Sequence, residues 1–556
     1  MNYISDFHTH IALKAANNET IKNIWATRQN PPPKKFLFFF NVLRQLALDP
    51  FYNEYATSTQ CNLDKCVKGN VRLVFCSIYP IERPYIARKN TFTWLLSSFS
   101  FFTKKFPFLQ FFNKKKNLLL MMIQVLVGVS EKRALEFWNE QKKSTTQIDY
   151  FQDYLKELNV LTVASGQEPQ DENHKAKQFK LVKNYEEFQA HITNPDVICG
   201  ILSLEGIHGL GTYKVEHLFS DKNIDVLSIS EGEKLYRSLF NNITRIKQDD
   251  NMAPFYITVA HHFNNLVCGH SKSFNGALKL FFKQKGGVNT GLTVKGQQLL
   301  KLLLHKDQNQ RRILIDIKHM SVKSRLQFYD IVEKAKQDND FIPIISSHSA
   351  VSGVKKYTNF ETLGSGNKAD KNAYVSRGDI NLCDQDIVAI YKSGGLIGVL
   401  MHDGRMPGCV YKKTFKNTLN VADRMLLQQQ LFLTNVYHII NVVDINYNES
   451  AWDIVSLGSD MDGMINPFDD YDGADKLMAF RNHIYQYLEN YDTLDDRFKI
   501  KNLYENAEGK IILSTERFLK LNAGLSVKEI TDNIFYKNTE VFLSRYFTQN
   551  YLYGNH

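Results

Sequence analysis

The sequence predicts an α/β chain folded as a (β/α)8 barrel of the TIM type, with a large insertion between the second and third strands. Three observations carry this. Short β-rich apolar runs recur at about 3–9, 71–79, 198–204, 255–260, 312–318, 342–347, 395–401 and 454–460. Stretches long enough for a helix separate them, the pattern of parallel strands joined by crossover helices. Residues able to bind a cation or move a proton stand at the ends of six of these runs, where a barrel of this kind gathers its chemistry.

In chain order, the first run leads into His8 and His10, the second ends at Tyr79, and the third meets Glu205 with His208 beyond it. The fourth leads to the adjacent His261 and His262, the fifth to His319, the sixth to His348 and the last to Asp460. One such strand end would mean little, but six in one chain are hard to explain by packing. Residues i and i+2 of a strand share a side, so His8 and His10 can bind one cation. His319 and His348, ending neighbouring strands, can bind a second, and the two oxygens of Glu205 can bridge them. Imidazole and carboxylate ligands around an open position acidify a bound water, and Asp460 can accept its proton. The expected cofactor is a pair of divalent metal ions, zinc by ligand type. His261 and His262, being adjacent, are expected to point apart, leaving one of them structural. His208 is expected to be structural, Tyr79 to sit at the core edge, and Asp462 to cap the turn at Gly463.

The connections are uneven. About 118 residues separate the second and third runs, far more than a barrel loop needs. This insertion, 83–195, is expected to be basic, aromatic and helical. Ser349 to Ile387, rich in Gly, Ser, Lys and Asn, reads as a mobile loop over the barrel mouth. No internal repeat and no long linker divides the chain, so 1–556 is read as one domain.

Composition narrows the function classes. Of 556 residues, 43% are apolar or aromatic and 23% charged, enough for a large core, and the net charge is +10. Eight Lys or Arg and no acid lie between Arg83 and Lys116, so the rest of the chain carries only +2. A basic character confined to one stretch, without a nucleic-acid-binding motif, argues against a nucleic-acid partner. The same stretch holds ten aromatics. Such a segment suits a membrane interface, but the preferred reading is an insertion that packs its aromatics on the barrel or in a homodimer contact and leaves its lysines in water. Peripheral membrane contact through 83–130 is therefore not favoured. Seven scattered cysteines lack a CxxC pair, the start has no signal-peptide pattern, and the apolar run Leu118–Val129 is shorter than the roughly 20 residues a bilayer needs. A cytoplasmic location is expected.

Several segments together carry a resemblance. Ser-Asp-Phe-His-Thr-His, Ser-Leu-Glu-Gly-Ile-His-Gly-Leu-Gly, Leu-Ile-Asp-Ile-Lys-His-Met-Ser, Ile-Ser-Ser-His-Ser-Ala and Leu-Gly-Ser-Asp-Met-Asp-Gly occur in the order seen in the renal (membrane) dipeptidase family of the amidohydrolase superfamily. Asn289–Gln297 is similar to a further segment of that family. The resemblance implies a zinc-dependent dipeptidase acting on a small peptide-like substrate. It implies His8, Glu205, His319 and His348 as metal ligands with Glu205 bridging, Asp460 as the proton-handling aspartate, and His261 as the residue that polarises the substrate carbonyl. Arg377, in Val-Ser-Arg-Gly-Asp-Ile, is similar in placement to the arginine that holds the substrate carboxylate. His10 departs from the family, which has aspartate there, and makes the site one charge more positive. The competing expectations are a related amidohydrolase cleaving a lactone or non-peptide amide, and a membrane-associated interaction protein on a non-catalytic barrel.

Overall fold

The computed structural model describes residues 3–19, 21, 23–25, 59–86, 124, 127–167, 177–274, 282, 284–357, 368–463, 466–506 and 508–554. All eight expected strands are present. They are β1 (Ile4–Thr9), β2 (Val71–Ile78), β3 (Val197–Glu205), β4 (Tyr256–Thr258), β5 (Leu314–Asp316), β6 (Ile345–Ser349), β7 (Leu396–Val399) and β8 (Val455–Leu457). Each pairs in parallel with the next. Asp460 N–H donates to His8 O and His10 N–H to Met461 O, both at 2.9 Å, so the last strand returns to the first and the barrel closes just where the site residues begin.

These segments form strands because they are apolar on both faces, as a sheet walled by helices requires. Every residue of β2 and β3 is buried. Helices such as Val294–Leu304, Val322–Gln337 and Asp384–Lys392 fill the crossovers, and a 27-residue helix, Val421–Tyr447, precedes β8. Thr293, Ser321 and Asn420 cap three of these helices by accepting backbone N–H bonds. Gly398 on β7 is needed for close approach, since a Cβ there would lie 1.9 Å from Ser347 O, one residue before His348.

The insertion is more mixed than expected. Its described part contains the helices Glu131–Glu140, Tyr150–Gly166 and Tyr185–Ile192, but also a strand, Gln178–Leu181. That strand runs parallel to the start of β3, pairing with Val197–Gly200, while the end of β3 pairs with β4. Its alternating Lys and Gln hide it in sequence. The insertion is tied to the barrel at its root. Arg83 bonds Glu140 at 2.6 Å and Asp153 at 2.8 Å and lies over the Phe137 ring, while Tyr85 packs on Phe263, Phe274 and Phe282. Residues 87–123, which hold most of the basic aromatic stretch and of the Leu118–Val129 run, lie outside the described residues, as do 358–367 of the Ser349–Ile387 connection. The flanks of that connection are buried and bonded, Ser352 N–H to Leu382 O at 2.8 Å and Tyr357 OH to Gly378 O at 2.9 Å, which does not fit a loop mobile along its length. Among the described residues no helix is long and apolar enough to cross a membrane.

Glu157, on helix Tyr150–Gly166, accepts the Tyr79 N–H at 3.0 Å, and burial pushes its carboxyl from about 4.5 to about 8. Across that window the folded chain keeps a proton that the unfolded chain releases, so stability falls as pH rises from 4.5 to 8. Glu157→Gln is expected to flatten this slope by about 2–4 kcal/mol between pH 5 and pH 8, read by urea unfolding at the two pH values. Equal slopes in the two proteins would count against it.

Candidate metal centre

Strand alternation turns His8, on β1, and His10, one residue past its end, into the barrel mouth, with their Nε2 atoms 3.2 Å apart. Across the mouth, His319 and His348 Nε2 are 3.3 Å apart. Two nitrogens bound tetrahedrally to one zinc at about 2.0–2.1 Å sit about 3.3–3.4 Å from each other, so both pairs stand at ligand spacing. Glu205, 2% exposed, lies between them. Its Oε2 is 3.1 Å from His10 and 3.4 Å from His261, while its Oε1 is 3.4 Å from His319, 3.5 Å from His348 and 3.8 Å from His8. Asp460 Oδ1 is 3.5 Å from His10, and its Oδ2 is 3.9 Å from His348.

Supporting hydrogen bonds leave the inner nitrogens bare. Tyr256 OH donates to Phe7 O at 2.6 Å, so at 3.3 Å it accepts from His8 Nδ1–H, and His8 Nε2 keeps its lone pair. Ser347 OH donates to Asp316 Oδ2 at 2.6 Å and so accepts from His348 Nδ1–H at 2.8 Å, which frees His348 Nε2 in the same way. Such outer partners orient histidines toward a metal. His319 and Asp460 hold left-handed backbones, φ 64° and 60°, a region few side chains choose. Hydrogen bonds from Ser271 N–H to His319 O and from Asp460 N–H to His8 O hold them there, at 2.8 and 2.9 Å.

The electrostatics fit a cation. Burial pushes His8 down to about 3 and also lowers His319 and His348, so these imidazoles are neutral and able to ligate. Against burial, His261 and the hydrogen bonds from His10 and His319 hold the Glu205 carboxyl well below the usual carboxylate range. Burial also disfavours a charged His10, but Asp460 and Glu205 outweigh it and raise His10 to about 10. A positive charge is thus demanded where the two carboxylates converge. The Nδ1 atoms of His10, His262 and His319 are buried without a hydrogen-bond partner, and His8, His10 and Asp460, like His8, Glu205 and His348, bring ligand atoms within 4.8 Å of one another. The donor set fits divalent metal.

No family model matches the chain, and no curated protein matches it. Among solved structures it is similar to a metallo peptidase from Rhodobacter sphaeroides liganded with a phosphinate mimic of the dipeptide L-Ala-D-Ala, at 14% identity over 98% of this chain and 99% of that one, TM-score 0.45. It is likewise similar to the dipeptidase AC, a metallo peptidase, at 13% identity over 98% and 99%, TM-score 0.45. A third is the probable dipeptidase PvdM from Pseudomonas aeruginosa, at 11% identity over 87% and 88%, TM-score 0.42.

One expectation needs correction. His261 and His262 do not point apart. With His319 they form a third group of ligand atoms within 4.8 Å, because β4 ends at Thr258 and both residues belong to a loop free of strand alternation. Arg377 lies in the connection after β6, its backbone N–H donating to Asp370 Oδ1 at 2.6 Å and its charge reaching Glu508. Arg405, after β7, stands beside the imidazoles, Nη2 3.5 Å from His262 Nε2 and within electrostatic range of Asp460 and Glu205. The structure places other residues more simply. Asp462 faces away from the cluster, accepting Gln60 and Cys61 N–H at 3.0 and 2.9 Å and pairing with Lys14 at 2.9 Å. His208 Nε2 bonds Pro80 O at 2.7 Å. Sequence reasoning missed Arg405, Glu82 and Lys318, whose buried Nζ lacks a hydrogen-bond partner and is pushed down to about 7 by burial and Arg405. Extending the strand-end argument to His402–Arg405 after the seventh run would have found Arg405.

Filling this centre should displace the proton that His10 holds in its absence. Titrating zinc into metal-free protein at pH 7, in buffers of different ionisation enthalpy, is expected to show release of roughly one proton per site. Binding heats independent of buffer would contradict that charge assignment.

Proposed function

We propose that the protein is a divalent-metal-dependent dipeptidase, with two ions, most simply zinc, held by His8, His10, Glu205, His319 and His348. The observation that carries this is the split of Glu205, one oxygen toward His10 and the other toward His319 and His348. A carboxylate shared in this way suits two cations close together. When bound, such ions polarise a scissile carbonyl and acidify the attacking water.

The chain's own groups supply the rest. Asp460, at the cluster and pushed up by burial, accepts a proton and passes it to the leaving amine. His261 Nε2 faces Glu205 at 3.4 Å and, when it carries a hydrogen, can donate to the carbonyl oxygen as charge develops there. Arg405, beside His262, is our candidate to hold the substrate's carboxylate, with Arg377 the alternative. The groups lining the mouth are buried, which strengthens each of these contacts.

Metal analysis together with a dipeptide panel, including D-residues at the C-terminal position, tests the proposal. Stoichiometric divalent metal and dipeptide turnover are expected, with Glu205→Gln lowering kcat at least about 100-fold. Lactone hydrolysis without dipeptide hydrolysis would overturn the substrate class. Arg405→Met is expected to raise KM about tenfold or more for free dipeptides but not for their C-terminal amides, a loss of about 1.4 kcal/mol or more, with Arg377→Met within twofold of wild type. The reverse result would return the carboxylate contact to Arg377.

A further inference from the structure

Glu82 closes β2's exit into the insertion and is 4% exposed, yet its carboxylate is fully engaged at the mouth of the barrel. Oε2 lies 2.6 Å from His261 Nδ1 and accepts the Tyr79 OH at 2.9 Å and the His262 N–H at 3.3 Å, while Oε1 accepts the Phe263 N–H at 2.9 Å. Tyr79 also packs edge-on against the His261 ring, centroids 4.6 Å apart. A buried carboxylate without such donors would be costly; four donors, three of them from the segment 261–263, make Glu82 a rigid seat for that loop.

From this geometry we propose that Glu82 is a positioning residue for His261. A carboxylate only accepts, so the 2.6 Å contact commits His261 Nδ1 as a donor and leaves Nε2 as the one ring atom presented to Glu205 and the cleft. The loop that carries His261 has no strand to orient it, β4 having ended at Thr258. Its orientation comes from a side chain at the root of the insertion. Arg83, the next residue, is clamped by Glu140 and Asp153, and Glu157 of the same insertion accepts the Tyr79 N–H. The insertion therefore sets the geometry of a residue that it does not contain.

The kinetic part of the test rests on the dipeptidase reading; the spectroscopic part does not. In protein labelled with 15N at histidine, with signals assigned by His261→Gln, wild type is expected to show His261 protonated at Nδ1 and fixed. Glu82→Gln is expected to loosen that Nδ1 hydrogen, moving or broadening the His261 signals, with the melting temperature preserved. In the metal-loaded enzyme, Glu82→Gln should lower kcat about 10–100-fold while KM stays within twofold, and Glu82→Asp should recover part of kcat. An unchanged His261 signal in a folded Glu82→Gln protein would overturn the proposal whether or not the enzyme cleaves dipeptides. If Glu82→Gln does not fold, Glu82→Asp, which draws the carboxylate back from Nδ1, serves in its place, and an unchanged signal there has the same meaning. A moved signal in a protein that hydrolyses no dipeptide supports the positioning and sinks only the dipeptidase reading.

Discussion

Everything at the mouth of this barrel depends on its closure between the first and last strands. Two backbone hydrogen bonds, His10 N–H to Met461 O and Asp460 N–H to His8 O, join residues some 450 positions apart in the chain. They do so at the residues whose side chains form the site. Asp6 reinforces the seam, accepting the Ser459 N–H at 2.9 Å and the Ser459 OH at 2.5 Å. Without that seam, His8 and His10 would face Glu205 but not Asp460. With it, two carboxylates and a ring of imidazoles share one buried space. His319 and Asp460 each take a left-handed backbone three residues past a strand end, His319 beyond β5 and Asp460 beyond β8.

The centre is organised by charge more than by shape. Neutral imidazoles on one side and ionised Glu205 on the other leave an imbalance that His10 answers with a proton in the metal-free protein. Arg405 and Lys318 add positive charge at the same mouth, and each is disfavoured by its burial. By contrast, the +10 of the whole chain says nothing about the reaction, since it arises mostly between Arg83 and Lys116. Arg83, the first of those residues, is itself neutralised by Glu140 and Asp153.

The barrel was legible in the sequence because each strand is buried on both faces and so reads as an unbroken apolar run ending in a polar residue. His8, His10, Glu205, His319, His348 and Asp460 stand out for that reason, and the structure gathers them. What was not legible depends on loops and on distant contacts. Gln178–Leu181 is a strand only because β3 offers it an edge. His261 and His262 share a direction because no strand constrains them. Arg405 follows a strand whose end bears His402 and Asp403, and nothing in its local spacing separates it from Arg377. Glu82 meets His261 across 179 positions, a pairing that no periodicity encodes.

The clamp at the root of the insertion bears on how this chain can change over evolutionary time. An accessory segment attached only at a surface loop can be lengthened, exchanged or deleted without consequence for the body that carries it. Here, Tyr79, Glu82, Arg83 and Glu157 interlock, so the root of the insertion and the loop bearing His261 are inherited as one unit. Drift in either must be matched in the other, and transplanting the bare barrel without residues 79–86 and 127–164 would leave part of its working surface behind.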